Sequence, residues 1–211
     1  MIALNSLEKN GNADKILKLF HKLIPQIFLM GAILAERLIG VEMGVAYGGG
    51  LAELGRAWKG IGQVYGFDTY EGHPTFLADS PDNFEARCMD IEYGNFGKDT
   101  LSYEYIRGEL DKEGLTNVHL IKGLIDGQSC KDIPYIHYAF IDLDILESMM
   151  AAYEAVKDKI VPGGFLCLHD VYGIHAFPRL GKWYQIVVRT DNMWEVIFEE
   201  DKEVLAILRR K

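Results

Sequence analysis

The stretch RLIGVEMGVAYGGGLAEL, residues 37–54, decides the fold that we predict for this chain. It begins with a short apolar run, 38–45, which is typical of a buried β-strand. A glycine-rich turn follows, and from Gly49 the spacing of the apolar residues indicates a helix. A strand, a glycine-rich turn and a helix in this order form the element with which many α/β proteins hold a nucleotide.

Strand and helix signals continue to alternate along the chain. The runs that predict strands are 38–45, 63–68, 117–123, 136–144 and 163–170, and the helical patterns cover 49–58, 100–113, 148–159 and 177–189. This alternation predicts an α/β fold with a doubly wound, mostly parallel sheet of the Rossmann-like kind. Residues 193–211 resemble two strands joined by a short acidic turn, so we expect a C-terminal antiparallel hairpin at one edge of the sheet.

The length of 211 residues and a hydrophobic content of 49% predict a single domain over residues 1–211 with one sizeable core. Residues 1–37 form a predicted N-terminal helical segment. Its most apolar part superficially resembles a signal peptide, but Pro25 and Gln26 interrupt the run and it leads directly into the first strand. We interpret it as a buried helix, which is also suited to an interface in a homo-oligomer.

The connection between the second and third predicted strands, residues 69–117, is much longer than one crossover needs. Its part from 72 to 100 is rich in Asp, Pro, Gly and aromatic residues and shows little periodicity. Long loops in compact domains are often functional, so this part is a candidate lid insertion. A surface excursion without a role is the alternative.

The net charge and the cysteine content limit the classes of binding partner and the compartment that we expect for this protein. A formal net charge of -9 argues against a nucleic-acid-binding protein, because binding phosphates requires clustered Lys and Arg. The three cysteines are far apart and form no C-x-x-C pair, which favours a reducing compartment. We therefore expect a cytoplasmic protein with no membrane and no nucleic-acid partner.

The glycine-rich turn departs from two common nucleotide-binding motifs. Ala46 stands where a dinucleotide-binding turn requires its middle glycine, and no Gly-Lys-Ser/Thr follows, as a P-loop would need. Glu42 lies two positions before Gly44 and therefore on the same side of the strand. A carboxylate facing the turn repels a diphosphate and suits a ligand with positive charge, such as the ammonium and sulfonium groups of S-adenosylmethionine. A strand that merely ends in a glycine-rich turn is the alternative.

The second predicted strand ends with Asp68, about two dozen positions after Gly44. An acidic residue at this spacing hydrogen-bonds the ribose hydroxyls in doubly wound folds, which is the role that we predict for Asp68. Capping of the following segment is the alternative.

Acidic residues and a histidine stand at the ends of the last two parallel strands: Asp142, Asp144, His169 and Asp170. Because ligands of open α/β sheets bind outside the carboxyl ends of the strands, we expect these side chains to converge on one rim with Glu42 and Asp68. Such carboxylates repel one another unless they share a proton or a cation, and a divalent metal ion is the simplest solution. For Asp144, helix capping and a catalytic role are equally compatible with the sequence.

The chain resembles the class I S-adenosylmethionine-dependent methyltransferases, in particular the macrocin O-methyltransferase-like group. The resemblance runs from about Ile39 to Arg189. It rests on GVEMGVAYGGG, VYGFDTYEGHP, GLTNVHLIKGLIDG, AFIDLDILES and VPGGFLCLHDVYG, in the expected order and spacing.

The resemblance implies that the first strand and its turn surround the methionine part of the cofactor, Asp68 its ribose, and Gly123, Leu124 and Asp126 its adenine. The residues that we predict to bind the cofactor are Glu42, Gly44, Ala46, Tyr47, Gly48, Asp68, Thr69, Gly123, Leu124 and Asp142. The group holds magnesium by an aspartate after strand four and two acids after strand five. Here these positions carry Asp142, His169 and Asp170, so a histidine replaces one acid.

We predict an S-adenosylmethionine-dependent O-methyltransferase that acts on a hydroxyl of a small molecule, such as a sugar or natural product. Asp142, His169 and Asp170 are the predicted catalytic residues and the candidate ligands of a divalent metal ion, Mg²⁺ or Mn²⁺. Magnesium prefers oxygen ligands, whereas an imidazole favours other metals or no metal. A catalytically degenerate nucleoside-binding protein and, with less support, a nicotinamide-dependent oxidoreductase are the alternatives.

Overall fold

The structure is a computed structural model, and it describes residues 37–72, 102–172, 177–200 and 205–211. The predicted N-terminal helical segment and nearly all of the candidate lid lie outside these residues, so both stay predictions. Along the chain the elements are β1 Leu38–Met43, α1 Gly49–Ala57, β2 Gly62–Asp68, α2 Tyr103–Lys112, β3 Val118–Lys122, β4 Ile136–Ile141, α3 Leu146–Val156, β5 Ile160–Leu168, α4 Pro178–Trp183, a π-helical turn Tyr184–Val188, β6 Trp194–Glu200 and β7 Leu205–Arg210.

Seven strands form one sheet in the order β3-β2-β1-β4-β5-β7-β6. The first five are parallel, and β7 pairs antiparallel with both β5 and β6, which confirms the doubly wound sheet and its C-terminal hairpin. The chain proceeds outward from β1 to β3 and then returns to place β4 on the other side of β1. This reversal is the switch point of the sheet, beside which ligands of such folds bind.

Helices cover both faces of the sheet. On one face, Leu51, Leu54 and Trp58, in and just after α1, pack with Ile106 and Leu110 of α2 in one core cluster. On the other face, α3 and α4 contribute to a second cluster with the odd-numbered residues of β1. Because both faces are covered, every residue of β1 and β4 is buried, which explains why these strands read as continuous apolar runs.

The strands end earlier than the sequence predicts. β1 ends at Met43 instead of residue 45, β4 at Ile141 instead of 144, and β5 at Leu168 instead of 170. Their apolar patterns continue into the turns because those turns pack on the core, as Val45 and Val171 show. The polar side chains of interest therefore follow the strands.

The helices also differ from the predicted ranges. Ser102 caps α2 by accepting the N–H of Tyr105 at 3.3 Å, and α3 begins at Leu146, two residues before its predicted start. Among the described residues, no helix combines the length and the apolar character needed to cross a bilayer.

Candidate active site

The glycine-rich turn, residues 44–48, connects β1 to α1 at the switch point. Gly44 and Gly48 have φ of 89° and 75°, in the left-handed region that favours glycine. A side chain on Gly44 would overlap the carbonyl oxygen of Asp142, so the turn is packed against the chain just beyond β4. Gly48 is the N-cap of α1, and its N–H donates to the Val45 carbonyl at 2.8 Å.

The carboxylate of Asp68, at the end of β2, holds this turn in place. Its Oδ2 accepts the backbone N–H groups of Val45 and Ala46 at 2.7 and 3.2 Å, and its Oδ1 accepts the N–H of Tyr70 at 2.8 Å. The two amides at the mouth of the turn therefore already face a carboxylate, and a diphosphate is not their partner. Sequence reasoning missed this contact, because it joins residues 23 and 22 positions apart on neighbouring strands. The predicted contact of Asp68 with a ribose stays a prediction.

Glu42 faces the start of α1, where its carboxylate lies beneath Gly50. A Cβ added to Gly50 would lie 3.0 and 3.2 Å from the two carboxylate oxygens. Glu42 is only 4% exposed, and its Oε2 is buried without a hydrogen-bond partner among the described residues. Burial, and then the charges of Asp142 and Asp68, raise the pKa of Glu42 well above its ordinary value. A cationic ligand group beside it would favour the charged form again.

The predicted catalytic residues come together at the ends of β4 and β5. His169 Nδ1 lies 3.2 Å from Asp142 Oδ1 and 3.1 Å from Asp170 Oδ2. Neither oxygen is aligned for a directional hydrogen bond, since Nδ1 is buried without such a partner among the described residues. The His169 side chain is 8% exposed and that of Asp142 30%, so Asp142 is the member of the cluster most open to solvent.

The backbone fixes the positions of these three residues. The N–H of Asp142 donates to the Met43 carbonyl at 2.9 Å, and that of His169 to the Ile141 carbonyl at 3.0 Å, which extends the sheet ladder past both strand ends. Asp170 adopts the left-handed region with φ of 60°, and its carbonyl accepts the N–H of Phe177 at 3.1 Å. A strained backbone of this kind is frequent at functional sites.

The charges of the cluster are strongly coupled. Burial lowers the pKa of His169, but the two neighbouring carboxylates outweigh this effect and raise it well above its ordinary value. Burial also raises the pKa of Asp170 to about 7, although His169 opposes that shift. Without another cation, the imidazolium of His169 balances part of the carboxylate charge.

The same three residues fit a divalent metal ion. One donor atom from each lies within 4.8 Å of the other two. Two donors at right angles on an ion with bonds of about 2.1 Å are separated by about 3 Å, which matches the 3.2 and 3.1 Å from the His169 nitrogen to its neighbours. An ion bound there would be held by Asp142, His169 and Asp170.

The structure places the other predicted cofactor residues around the turn and the end of β3. Ala46 and Tyr47 are exposed at the mouth of the turn. The Gly123 N–H donates to the Asp68 carbonyl at 3.0 Å, which brings the exposed Leu124 to the same rim. Thr69 donates its hydroxyl to the Gly72 carbonyl at 2.6 Å and shapes the turn after β2. Their contacts with a cofactor stay predictions.

Two sequence interpretations need correction. The predicted strand 136–144 would place Asp142 and Asp144 on one face, but β4 ends before both and Asp144 has φ of 59°. Asp144 is not the N-cap of α3 either, because that position belongs to Ile145. Sequence reasoning also missed Gly50, whose role depends on the position of Glu42 beneath it.

Comparisons with known proteins show the family and the fold of the chain. The family described as "Methyltransferase domain" matches residues 41–171, which span β1 to the end of the acidic rim. No curated protein sequence matches the chain. Solved structures match well beyond the family region.

The O-methyltransferase NovP shares a TM-score of 0.70 and 19% identity, over 92% of this chain and 79% of that one. The calicheamicin methyltransferase CalS11 shares a TM-score of 0.60 and 16% identity, over 96% and 92% of the two chains. An apo structure of CalS11, described as a TDP-rhamnose 3'-O-methyltransferase, shares a TM-score of 0.56 and 18% identity, over 92% and 77%.

The family match and the fold identify the chain as a class I S-adenosylmethionine-dependent methyltransferase. The chain belongs to the family described as "Methyltransferase domain", whose model matches residues 41–171, and it shares the fold of NovP and CalS11.

Proposed function

We propose that this protein transfers the methyl group of S-adenosylmethionine to a hydroxyl oxygen of a small molecule. The observation that carries the proposal is the position of Asp142. Its backbone packs against Gly44 of the glycine-rich turn, and its carboxylate belongs to the cluster with His169 and Asp170. A donor held by the turn and a hydroxyl held by the cluster would therefore be neighbours.

The turn and Glu42 would hold the methionine part of the cofactor. An ammonium group beside Glu42 compensates the cost of ionising a buried carboxyl, which gives the site a preference for a cationic donor over a diphosphate coenzyme. The two amides bound by Asp68 support the same preference. This disfavours the nicotinamide-dependent alternative.

Asp142 and Asp170 would orient the acceptor hydroxyl and receive its proton. The oxygen forms a bond to the methyl carbon while the carbon–sulfur bond breaks, giving a methyl ether and S-adenosylhomocysteine. Holding the two reactants side by side supplies much of the rate enhancement. A divalent ion held by the cluster would supply a positive charge that lowers the pKa of the hydroxyl.

A sugar hydroxyl is the acceptor that we favour. CalS11 is described as a methyltransferase of TDP-rhamnose, and NovP as an O-methyltransferase, and both share the fold of this chain. Phenols and small hydroxy metabolites are the other classes to test. As in the sequence prediction, we expect a cytoplasmic enzyme without a nucleic-acid or membrane partner.

Calorimetry with S-adenosylmethionine, S-adenosylhomocysteine and NADH tests the cofactor. We expect the first two to bind and NADH not to bind. Transfer of labelled methyl from the cofactor to nucleotide sugars, glycosides and phenols then tests the reaction, with and without added Mn²⁺ or Mg²⁺. Binding of NADH in place of S-adenosylmethionine would overturn the proposal.

The alternative, a degenerate protein without catalytic activity, predicts a different combination of results in these two experiments. The histidine at position 169 is the feature that favours it, because it replaces an acid of the family pattern. Such a protein would bind the cofactor and yield no labelled product with any acceptor. Product formation that falls in Asp142→Asn removes this alternative.

A further inference from the structure

We propose that His169 makes the rim of this sheet selective for a transition-metal ion, such as Mn²⁺, Co²⁺ or Zn²⁺, over Mg²⁺. The inference deepens the proposed function and rests on it only for the part that the ion plays in catalysis. The binding preference itself follows from the donor atoms of Asp142, His169 and Asp170.

The first support is the unusual environment of the His169 nitrogen. Nδ1 is buried in a residue that is 6% exposed, and it has no directional hydrogen-bond partner among the described residues. A buried polar atom in this state costs free energy unless something binds it. It faces two carboxylates at 3.2 and 3.1 Å, an arrangement that suits a cation bound by all three groups.

The second support is the spacing of the donors. The distances of 3.2 and 3.1 Å from Nδ1 to the two oxygens match neighbouring ligands on one ion. Backbone hydrogen bonds hold Asp142 and Asp170, which follow the ends of the neighbouring strands β4 and β5. Donors held on strand ends in this way are organised before the ion binds, which lowers the cost of ordering them.

The third support is the chemistry of the donor set. Mg²⁺ demands oxygen ligands and retains several waters, whereas an imidazole nitrogen suits later first-row ions. Affinity for a nitrogen-containing site rises from Mn²⁺ through Co²⁺, and Zn²⁺ also binds such sites well. Two carboxylates with a neutral imidazole balance the charge of a divalent ion. A set of one nitrogen and two oxygens therefore favours these ions.

A role of His169 as general base has less support from the geometry. Its side chain is 8% exposed, and Nδ1 points to the two carboxylates. Asp142, with 30% of its side chain exposed, is easier for a substrate hydroxyl to reach. His169 is thus buried beside the two carboxylates, where it is less accessible to a substrate hydroxyl than Asp142 is.

The test compares metal binding by tag-free protein, stripped of metal, with that of three variants. Calorimetry with Mg²⁺, Mn²⁺ and Zn²⁺ gives the affinities, and the visible absorption of bound Co²⁺ reports a nitrogen ligand. For the wild type we expect Co²⁺ and Zn²⁺ to bind at least about tenfold more tightly than Mg²⁺. The visible absorption of bound Co²⁺ should show the intense bands of a metal site of low symmetry.

His169→Asp restores a carboxylate at this position. It should raise the affinity for Mg²⁺ and lower the affinity for Co²⁺ and Zn²⁺. His169→Ala should lower the affinity for all four ions. His119→Asp is the matched control, because this exposed histidine stacks on Tyr65 far along the sheet and should leave all affinities unchanged. Circular dichroism and thermal denaturation establish that each variant is folded.

Equal affinity for Mg²⁺ and Co²⁺, no change in His169→Asp, or no binding of any ion would each overturn the inference. The last result would mean that the imidazolium itself neutralises the carboxylates. Calorimetry with S-adenosylmethionine in metal-free buffer separates this failure from that of the proposed function. A chain that binds the cofactor but binds no ion refutes only the inference, and a chain that binds an ion but not the cofactor refutes only the proposed function.

Discussion

The carboxylate of Asp68 at the end of β2 accepts the backbone N–H of Val45 in the glycine-rich turn at 2.7 Å. This contact joins two neighbouring strand ends and fixes the turn before any ligand arrives. The same oxygen also accepts the N–H of Ala46. The turn is thus shaped by a side chain from the next strand as well as by its own glycines.

Removing this carboxylate should loosen the turn. Asp68→Ala leaves two amides of the turn without their acceptor, so we expect the free energy of unfolding to fall by about 1–3 kcal/mol. The affinity for S-adenosylmethionine should fall by about tenfold or more, equivalent to about 1.4 kcal/mol. Denaturant titration and calorimetry measure the two effects.

Asp191→Ala is the control for Asp68→Ala. Asp191 accepts the N–H of Met193 at 2.9 Å, which is a similar turn contact at a distance from the glycine-rich turn. We expect a loss of stability without a loss of cofactor affinity. Equal cofactor affinity in both variants would contradict the role of Asp68.

Glu42→Gln should stabilise the protein and weaken its cofactor binding. The pKa of Glu42 in the folded state is raised well above the ordinary 4.5 by burial, then by Asp142 and Asp68. The stability that the neutral carboxyl contributes is complete below about pH 4.5 and is lost as the pH rises through the raised folded-state pKa. Glutamine does not ionise, so the variant avoids this loss. The melting temperature of Glu42→Gln should exceed that of the wild type. The difference should grow as the pH rises from about 4.5 to the raised folded-state pKa of Glu42.

Glu104→Gln makes the same substitution at an exposed position and serves as the control. We expect it to show no comparable dependence on pH and no loss of cofactor affinity. Thermal denaturation between pH 4.5 and 8, together with calorimetry, measures both effects. A Glu42→Gln variant that is less stable than the wild type at pH 8 would contradict the burial of an unpaired carboxyl.

Gly50→Ala and Gly108→Ala test the contact between Glu42 and α1. Both are helical glycines, and alanine in an open helix gains up to about 1 kcal/mol over glycine. A Cβ on Gly108 meets nothing within 4 Å, whereas one on Gly50 would lie 3.0 Å from a carboxylate oxygen of Glu42. We therefore expect Gly108→Ala to raise the melting temperature and leave cofactor affinity unchanged.

In Gly50→Ala, the carboxylate of Glu42 has to move by a few tenths of an ångström, so we expect a smaller gain or a loss of stability and weaker binding of S-adenosylmethionine. Denaturant titration and calorimetry on both variants measure these differences. If the two variants gain stability equally and bind the cofactor equally, the contact has no functional role.

The described cysteines should be unreactive in the folded protein. Cys130 and Cys167 are free and buried, and burial raises the pKa of each thiol to about 12. The thiolate is the reactive form, so iodoacetamide at pH 8 should modify neither residue before the protein unfolds. Mass spectrometry of labelled peptides measures this, and the denatured chain provides the positive control. Rapid labelling of Cys167 in the folded protein would show that β5 opens.

The sequence by itself determined the first strand, its turn and helix, the mostly parallel sheet and the C-terminal hairpin. These features depend on local patterns: apolar runs, glycine positions and helical spacing. It also predicted that Asp142, His169 and Asp170 would meet, because the ends of adjacent parallel strands lie at one edge of the sheet. The family match over residues 41–171 agrees with the predicted methyltransferase fold.

Only the tertiary structure decided where the strands stop and what each acid contacts. Asp144 does not lie on the predicted strand because β4 ends at Ile141, and no local pattern marks that end because apolar residues continue at Leu143 and Ile145. The burial of Glu42 beneath Gly50 depends on how α1 packs beside β1. The hydrogen bond from Val45 to Asp68 likewise depends on how β2 packs beside β1. Contacts between distant parts of the chain set the charge and geometry of the site, and these contacts exist only once the sheet has formed.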